Sequence, residues 1–223
     1  MIIGVNGLKR FGYQPGGGLV DPSGTLFLLS IPKNASTFLT NTLVANGWQH
    51  SDLDLCRGCH QIAVMREPTE RWISGIATYL TYQLFGWGYG SDHFIEQYNE
   101  LTERLIFNRL IFDDHTEPQY TYIQQMHRIG GIILMEDDVL VEIEKLTGFE
   151  LQRLDVEKNS GESNYDLNNL QRFFMARLGE LQPELLRDVE GEYNPAESLR
   201  TRLQRVYTSD YNLYNTMRIH GTR

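Results

Sequence analysis

The sequence predicts an α/β protein: a central parallel sheet flanked by helices, with a mostly helical C-terminal third. Three observations predict it. Apolar runs too short to be helices, "LFLL" at 26–29, "QIAVM" at 61–65 and "GIILM" at 131–135, recur along the chain. Each leads into a stretch of helical periodicity, and strands that alternate with helices pair in parallel beneath them. The last third carries helical patterning on either side of the polar break "EKNSGESNYD".

The 223 residues suit one domain, 1–223, whose first 24 residues read as an irregular N-terminal arm or one short strand. A chain of this length buries roughly 70–75% of its unfolded surface and holds together without disulfides. Hydrophobic residues make up 41% and aromatic residues 11%, which is globular composition and argues against disorder. No window approaches the ~20 apolar residues of a membrane span, and the start "MIIGVNGLKRFGYQPGGG" lacks the apolar core of a signal peptide. The expectation is a soluble, cytoplasmic protein with no membrane and no nucleic-acid partner. The net charge of −9 opposes nucleic-acid binding, which needs clustered Lys and Arg. A local anion site survives that balance, because a few donors at a helix N-terminus act at short range.

Residues 25–30 form the first clear strand, and a helix follows from about Ser36 to Asn46, where "ANG" stops it. The run 61–65 is a second strand that ends at Arg66; Pro68 then opens a helix to about Tyr82, its missing N–H costing nothing in the first turn. The stretch "LFGWGYGSD" reads as a Gly- and aromatic-rich loop, and a further helix spans about Asp92 to Asn108. "GGIILMEDD" is a third strand, and "DDVLVEIEKLTG" a helix stopped at Gly148.

Ligands of such sheets sit beyond the C-terminal ends of the strands. Two strand ends there carry the chemistry. In "IPKNASTF", Ser36 and Thr37 begin a helix whose first N–H groups lack intrahelical partners and whose dipole adds partial positive charge. Asn34 and Ala35 are small enough to let the backbone wrap an anion, and Lys33 adds a full charge. The plain alternative is a helix cap beside a surface lysine. In "VMREPTERWISG", Arg66 offers a planar fork for phosphate and Ser74 lies roughly 9 Å along the helix. The alternatives are an ion pair of Arg66 with Glu67 or Glu70, and Ser74 as a packing residue. Neither explains the two corners together.

The pair resembles the sulfotransferase superfamily that uses 3′-phosphoadenosine 5′-phosphosulfate, closest to its carbohydrate-type branch. Members carry a strand, then "PKxxxT", then a helix; here this is Pro32 to Thr37. A later strand ends in Arg with Ser eight positions on, as Arg66 and Ser74 do. "IILMEDDVLVEIEKLTGF" and "RVYTSDYNLYN" are similar to further segments of that family, so the resemblance covers about residues 25–216. Ala35 departs from it by standing where glycine is common. The resemblance implies a three-layer P-loop-like fold. It also implies sulfuryl transfer from that nucleotide, leaving 3′,5′-adenosine bisphosphate, to a hydroxyl or amine of a small-molecule or glycan acceptor.

The implied cofactor-binding residues are Lys33, Asn34, Ala35, Ser36, Thr37, Phe38, Arg66 and Ser74, with Lys33 also catalytic and no metal required. The acceptor needs a general base. His115 is the first candidate, because "H-x-x-P-Q" recurs in carbohydrate sulfotransferases. His50 is the second, with Glu96 and Asp54 as carboxylate alternatives. Phe85, Trp87 and Tyr89 could stack on a ring or simply pack in the core.

Other chemistries are weaker. "CRGCH" at 56–60 matches a c-type haem attachment signature, but it runs directly into a strand. Its three ligand-type residues fall short of the four a structural zinc site needs, so Cys56 and Cys59 read as reduced, partly buried thiols. A P-loop kinase would need "GxxxxGK[ST]", and here Lys33 precedes the small residues instead of following them. A non-catalytic nucleotide-binding module on the same fold is the remaining alternative.

Overall fold

The computed structural model describes residues 2–3, 9–10, 16–85, 110–154 and 199–220. The helix expected over 92–108, Trp87, Tyr89, Glu96 and the break at 157–166 lie outside the described residues. Ile2–Ile3 pairs antiparallel with Lys9–Arg10. The main sheet has five strands: β1 Gly17–Val20, β2 Leu26–Leu29, β3 Gln49–Asp52, β4 His60–Met65 and β5 Ile129–Leu134. Their spatial order is β3-β1-β2-β4-β5. Six helices are described: α1 Ser36–Ala45, α2 Pro68–Phe85, α3 Gln119–Ile123, α4 Val139–Thr147, α5 Leu199–Val206 and α6 Thr208–His220.

The expected parallel sheet is corrected to a mixed one. β2, β4 and β5 run parallel, but β1 is antiparallel to both β2 and β3. Two local causes produce the antiparallel half. Residues 21–25 form a hairpin turn around the buried carboxylate of Asp21, which accepts from the N–H groups of Ser23, Thr25 and Leu26. Burial alone would raise the Asp21 pKa, but a hydrogen bond from the Ser23 hydroxyl together with these N–H bonds outweighs it and holds the value below the ordinary one. β3, "QHSD", is an exposed polar edge strand with no hydrophobic signature. Consequently Gly17–Val20 is an integral strand and not part of an irregular arm. A mostly helical C-terminal third is likewise not what the structure displays. Its described part is the irregular stretch 151–154 with α5 and α6, and residues 155–198 are not described.

Both faces of the sheet are apolar. Phe27, Leu29, Ala63, Met65, Ile132 and Leu134 face one side, against Tyr122 and Ile123 of α3 and Tyr214 of α6. Leu26, Leu28, Ile62, Val64 and Ile133 face the other, against Leu39 and Leu43 of α1 and Leu140 and Ile143 of α4. This alternation follows from the two-residue period of a strand buried on both sides. Helix ends follow ordinary capping chemistry: the Asp138 side chain accepts from the Val141 N–H at the start of α4, and Gly148 closes it at φ 72°. Among the described residues no helix is long and apolar enough to cross a membrane.

β1 and β2 approach closely because position 18 is glycine. A Cβ there would sit 2.1 Å from the Leu28 carbonyl oxygen and 2.6 Å from the Phe27 ring. We expect Gly18→Ala to lower the unfolding free energy by about 2–3 kcal/mol, as overpacking of a fixed core does. Denaturant melts would check this, and an unchanged midpoint would contradict the packing described.

Candidate functional site

The parallel pairing of β2 with β4 sets the two predicted corners side by side, since Leu29 lies opposite Ala63 and both strands end on one edge. After β2 the chain turns through Pro32 to Ala35. Lys33 has φ 70° and Ala35 φ 56°. Two non-glycine residues in the left-handed region are uncommon, and each costs roughly 1–2 kcal/mol. The turn survives because its neighbours overdetermine it. Asn34 is buried and donates through Nδ2 to the Val64 carbonyl and to Gln119 Oε1, both at 2.7 Å. α1 then starts at Ser36 with no side-chain cap on Ala35, so its first N–H groups face the turn.

Lys33 Nζ donates to Thr78 Oγ1 at 2.7 Å, and Thr78 donates to the Ser74 carbonyl at 3.0 Å. The first corner is thereby tied to the helix that carries Ser74. Burial, then the charges of Arg66 and Arg71, push the Lys33 pKa down to about 8, against an opposing pull from Asp113. Two guanidiniums are therefore within electrostatic reach of one ammonium. Arg66 is partly exposed. Its Nε stands 3.6 Å from Glu70, whose side chain is 66% exposed, so the ion pair named as the alternative is present but weak. The Arg66 backbone is held at both ends by one side chain: Gln119 Oε1 accepts from its N–H, and Gln119 Nε2 donates to its carbonyl.

Arg71 was not singled out in the sequence, yet it is the most enclosed cation described, at 1% exposure. Nε donates to the Pro32 carbonyl at 3.0 Å and Nη1 to the Glu117 carbonyl at 2.6 Å. Nη2 is buried with no hydrogen-bond partner among the described residues. The spacing "REPTER" was the available signal. It places Arg66 two residues before and Arg71 three after the first helical residue, Pro68, so both flank the loop that follows β2.

His115 lies in the buried turn 113–117. Its Nδ1 is 2.8 Å from Asp113 Oδ2 and 3.3 Å from Asp114 Oδ1. Burial alone would lower its pKa, but the hydrogen bonds and charges of Asp113 and Asp114 outweigh that and hold it above the ordinary value. The three residues offer ligand-type atoms within 4.8 Å of one another, and Nδ1 of His115 pairs with Asp113 within that cluster. α2 packs hard on this turn: a Cβ on Gly75 would sit 2.2 Å from the His115 carbonyl oxygen.

His50 is elsewhere. It lies mid-strand on the edge strand β3, opposite Leu19, which in turn faces Leu28. There it lines an open groove of about 1180 Å³ that also includes Thr37 of α1, Asp54 and His127. Phe38 is partly exposed on α1. Cys56 and Cys59 are free and buried in the core, and His60 Nε2 meets Arg128 at 3.1 Å. Cys56 Sγ meets Ser51 Oγ and Cys59 Sγ donates to the Gly24 carbonyl, both at 3.2 Å, which suits packed thiols better than haem attachment or zinc.

The C-terminal segment 207–214 closes the site from behind. Asp210 accepts from the N–H groups of Gln119 and Tyr120, both at 2.8 Å, capping α3. Tyr207 donates to the Leu110 and Thr116 carbonyls, and Tyr211 bonds Thr69. No family model, curated protein or solved structure matches the chain.

Two expectations follow. Ala35→Gly should raise stability by about 1 kcal/mol by relieving left-handed strain, read from the denaturation midpoint; a loss would mean the turn is not strained. His115→Asn should cost about 2–4 kcal/mol at pH 6, because it leaves buried carboxylates without their cation. A pKa raised by folding stabilises fully below the unfolded value near 6.5 and fades as pH rises through the folded value. The gap between wild type and variant should accordingly narrow above pH 6.5; a pH-independent gap would refute the ion pair.

Proposed function

We propose that the chain is a sulfotransferase that moves a sulfuryl group from 3′-phosphoadenosine 5′-phosphosulfate to a hydroxyl or amine acceptor. The observation that carries this reading is the convergence of Lys33, Arg66 and Arg71 at the tips of β2 and β4, close enough to depress the Lys33 pKa. Burial and the two guanidiniums lower the Lys33 pKa to about 8, so an anion received there would relieve the repulsion among the three cations. The residues fit such a group: a left-handed turn opens a helix N-terminus, and a buried guanidinium N–H has no partner among the described residues.

When bound, the nucleotide supplies an activated sulfuryl group on its 5′-phosphate and a 3′-phosphate for anchoring. Lys33 and the first turn of α1 would grip the phosphosulfate end and oppose charge growing on the leaving phosphate. Arg66 and Ser74 would hold the 3′-phosphate, with Glu70 releasing Arg66 to it. The general base must be unprotonated near neutral pH and must reach the acceptor. His115 is buried in the 113–117 turn and is not among the residues that line the groove, so we assign it to positioning that turn. The base falls instead to a histidine of the groove, His50 or His127.

Calorimetric titration with 3′,5′-adenosine bisphosphate tests the reading directly. We expect Arg66→Ala to weaken its binding about 10–100-fold, the scale of a charge-assisted phosphate contact. Lys33→Ala should cut turnover about 100-fold or more, as loss of a transition-state donor does. An anion raises the pKa of Lys33, so binding takes up a proton where the free ammonium has lost its own. Affinity should stay level from pH 7 to about 8 and fall as pH rises beyond that value. Wild-type protein that ignores the nucleotide would end this assignment.

A further inference from the structure

We propose that the groove beside α1 is the acceptor site, and that it selects an uncharged or amine-bearing polyhydroxylated molecule and rejects sulfated polyanions. This rests on the sulfuryl-transfer reading and deepens it. The groove, about 1180 Å³, starts at the helix turn assigned to the nucleotide, since Thr37 lies in its wall. Asn41, His50, Asp52 and Asp54 line it, as do Gln125 and His127. Its size suits a ligand of two or three sugar rings rather than a small alcohol.

The charge of the wall decides the class. None of the described lining residues is Lys or Arg, and Lys33, Arg66 and Arg71 are not among them. Two carboxylates line it, Asp52 and Asp54. Asp54 is shared at 2.6 Å with Arg57, which stays outside the groove, and stands 3.8 Å from His127 Nε2. The remaining polar atoms are amides, hydroxyls and imidazoles, which exchange hydrogen bonds with sugar hydroxyls in either direction. A sulfated chain would bring like charge against two carboxylates with no cation to meet it, in a molecule already negative overall. An amine would find Asp52 and Asp54.

The rims are also fixed in advance. Gln61, fully buried on β4, donates to the Cys56 carbonyl at 2.9 Å and accepts from the N–H groups of His127 and Arg128 at 2.6 and 3.1 Å. One side chain thus ties the turn carrying Asp54 to the turn carrying His127. A groove held open this way loses little freedom on binding.

The test uses the full chain saturated with 3′,5′-adenosine bisphosphate and calorimetry with three trisaccharide-sized probes: a neutral chitin oligomer, its amine-bearing chitosan counterpart, and a heparin oligosaccharide. We expect the first two to bind and the heparin probe to bind at least about tenfold more weakly. Asp54→Lys lies on an exposed turn and should fold. It should weaken the amine-bearing probe about fivefold or more while leaving nucleotide affinity unchanged. Preference for heparin, no saccharide binding, or an Asp54→Lys variant that treats all three probes as wild type does would overturn the acceptor assignment. Intact nucleotide binding in those cases leaves the cofactor reading standing. Failure of the nucleotide itself to bind would remove both.

Discussion

The arrangement turns on a single buried guanidinium. Arg71 points from the first turn of α2 into the protein and donates to Pro32 on one side and Glu117 on the other. Those carbonyls belong to the two loops that meet at the strand tips, so one planar group sets their separation. A charge taken from water to this depth costs several kcal/mol unless hydrogen bonds and counter-charge return it. Here two carbonyls and the nearby carboxylate cluster do so incompletely, since Nη2 lacks a partner among the described residues. The deficit has the sign of an anion site. Truncating Arg71 would accordingly disturb both loops and not only remove a charge.

A second layer of bonds keeps that geometry from drifting. Gln119 clamps the Arg66 backbone and shares its carbonyl oxygen with Asn34, so both corners are referenced to one amide. Gln119 is in turn held by Asp210 at the head of α3, while Tyr207 and Tyr211 reach the 110–117 segment and α2. The tail segment therefore fixes the two corners from behind. Residues some ninety positions apart are bonded directly, and this is why the strained Lys33 and Ala35 can hold left-handed conformations that an isolated loop would relax.

Much of this was legible in the sequence, and the gaps have physical causes. Strands β2, β4 and β5 announced themselves because burial on both faces demands continuous apolar runs. β3 did not, because an edge strand exposed to water needs none, and a hairpin organised by the single carboxylate of Asp21 leaves little trace in periodicity. Those two features account for the mixed sheet where a parallel one was expected. Lys33, Ser36, Thr37 and Arg66 were visible because strand-to-helix corners concentrate small, polar and basic residues. Arg71 was not, since a charged residue inside a helical stretch reads as a solvated face until its burial is known. His115 drew notice for its motif, and the structure adds its pairing with Asp113 and Asp114 in a buried turn. His127, outside the candidates, faces the groove.

The two halves of the site are electrically opposite, and that separation has a mechanistic logic. Cations gathered at the strand tips suit one highly charged ligand, but the same cations would hold a polyanionic acceptor in the wrong place. A groove walled by amides, imidazoles and two carboxylates offers phosphate no lysine or arginine among its described lining residues, whereas the tips gather three cations. On the proposed reading each ligand would be sorted by charge before any fine contact forms. Lys33 sits at the seam, and its pKa near 8 makes it responsive: it is partly relieved of its proton when alone and fully charged beside an anion. Full positive charge would thus develop where and when a negative group arrives, which lessens the cost of holding three cations together.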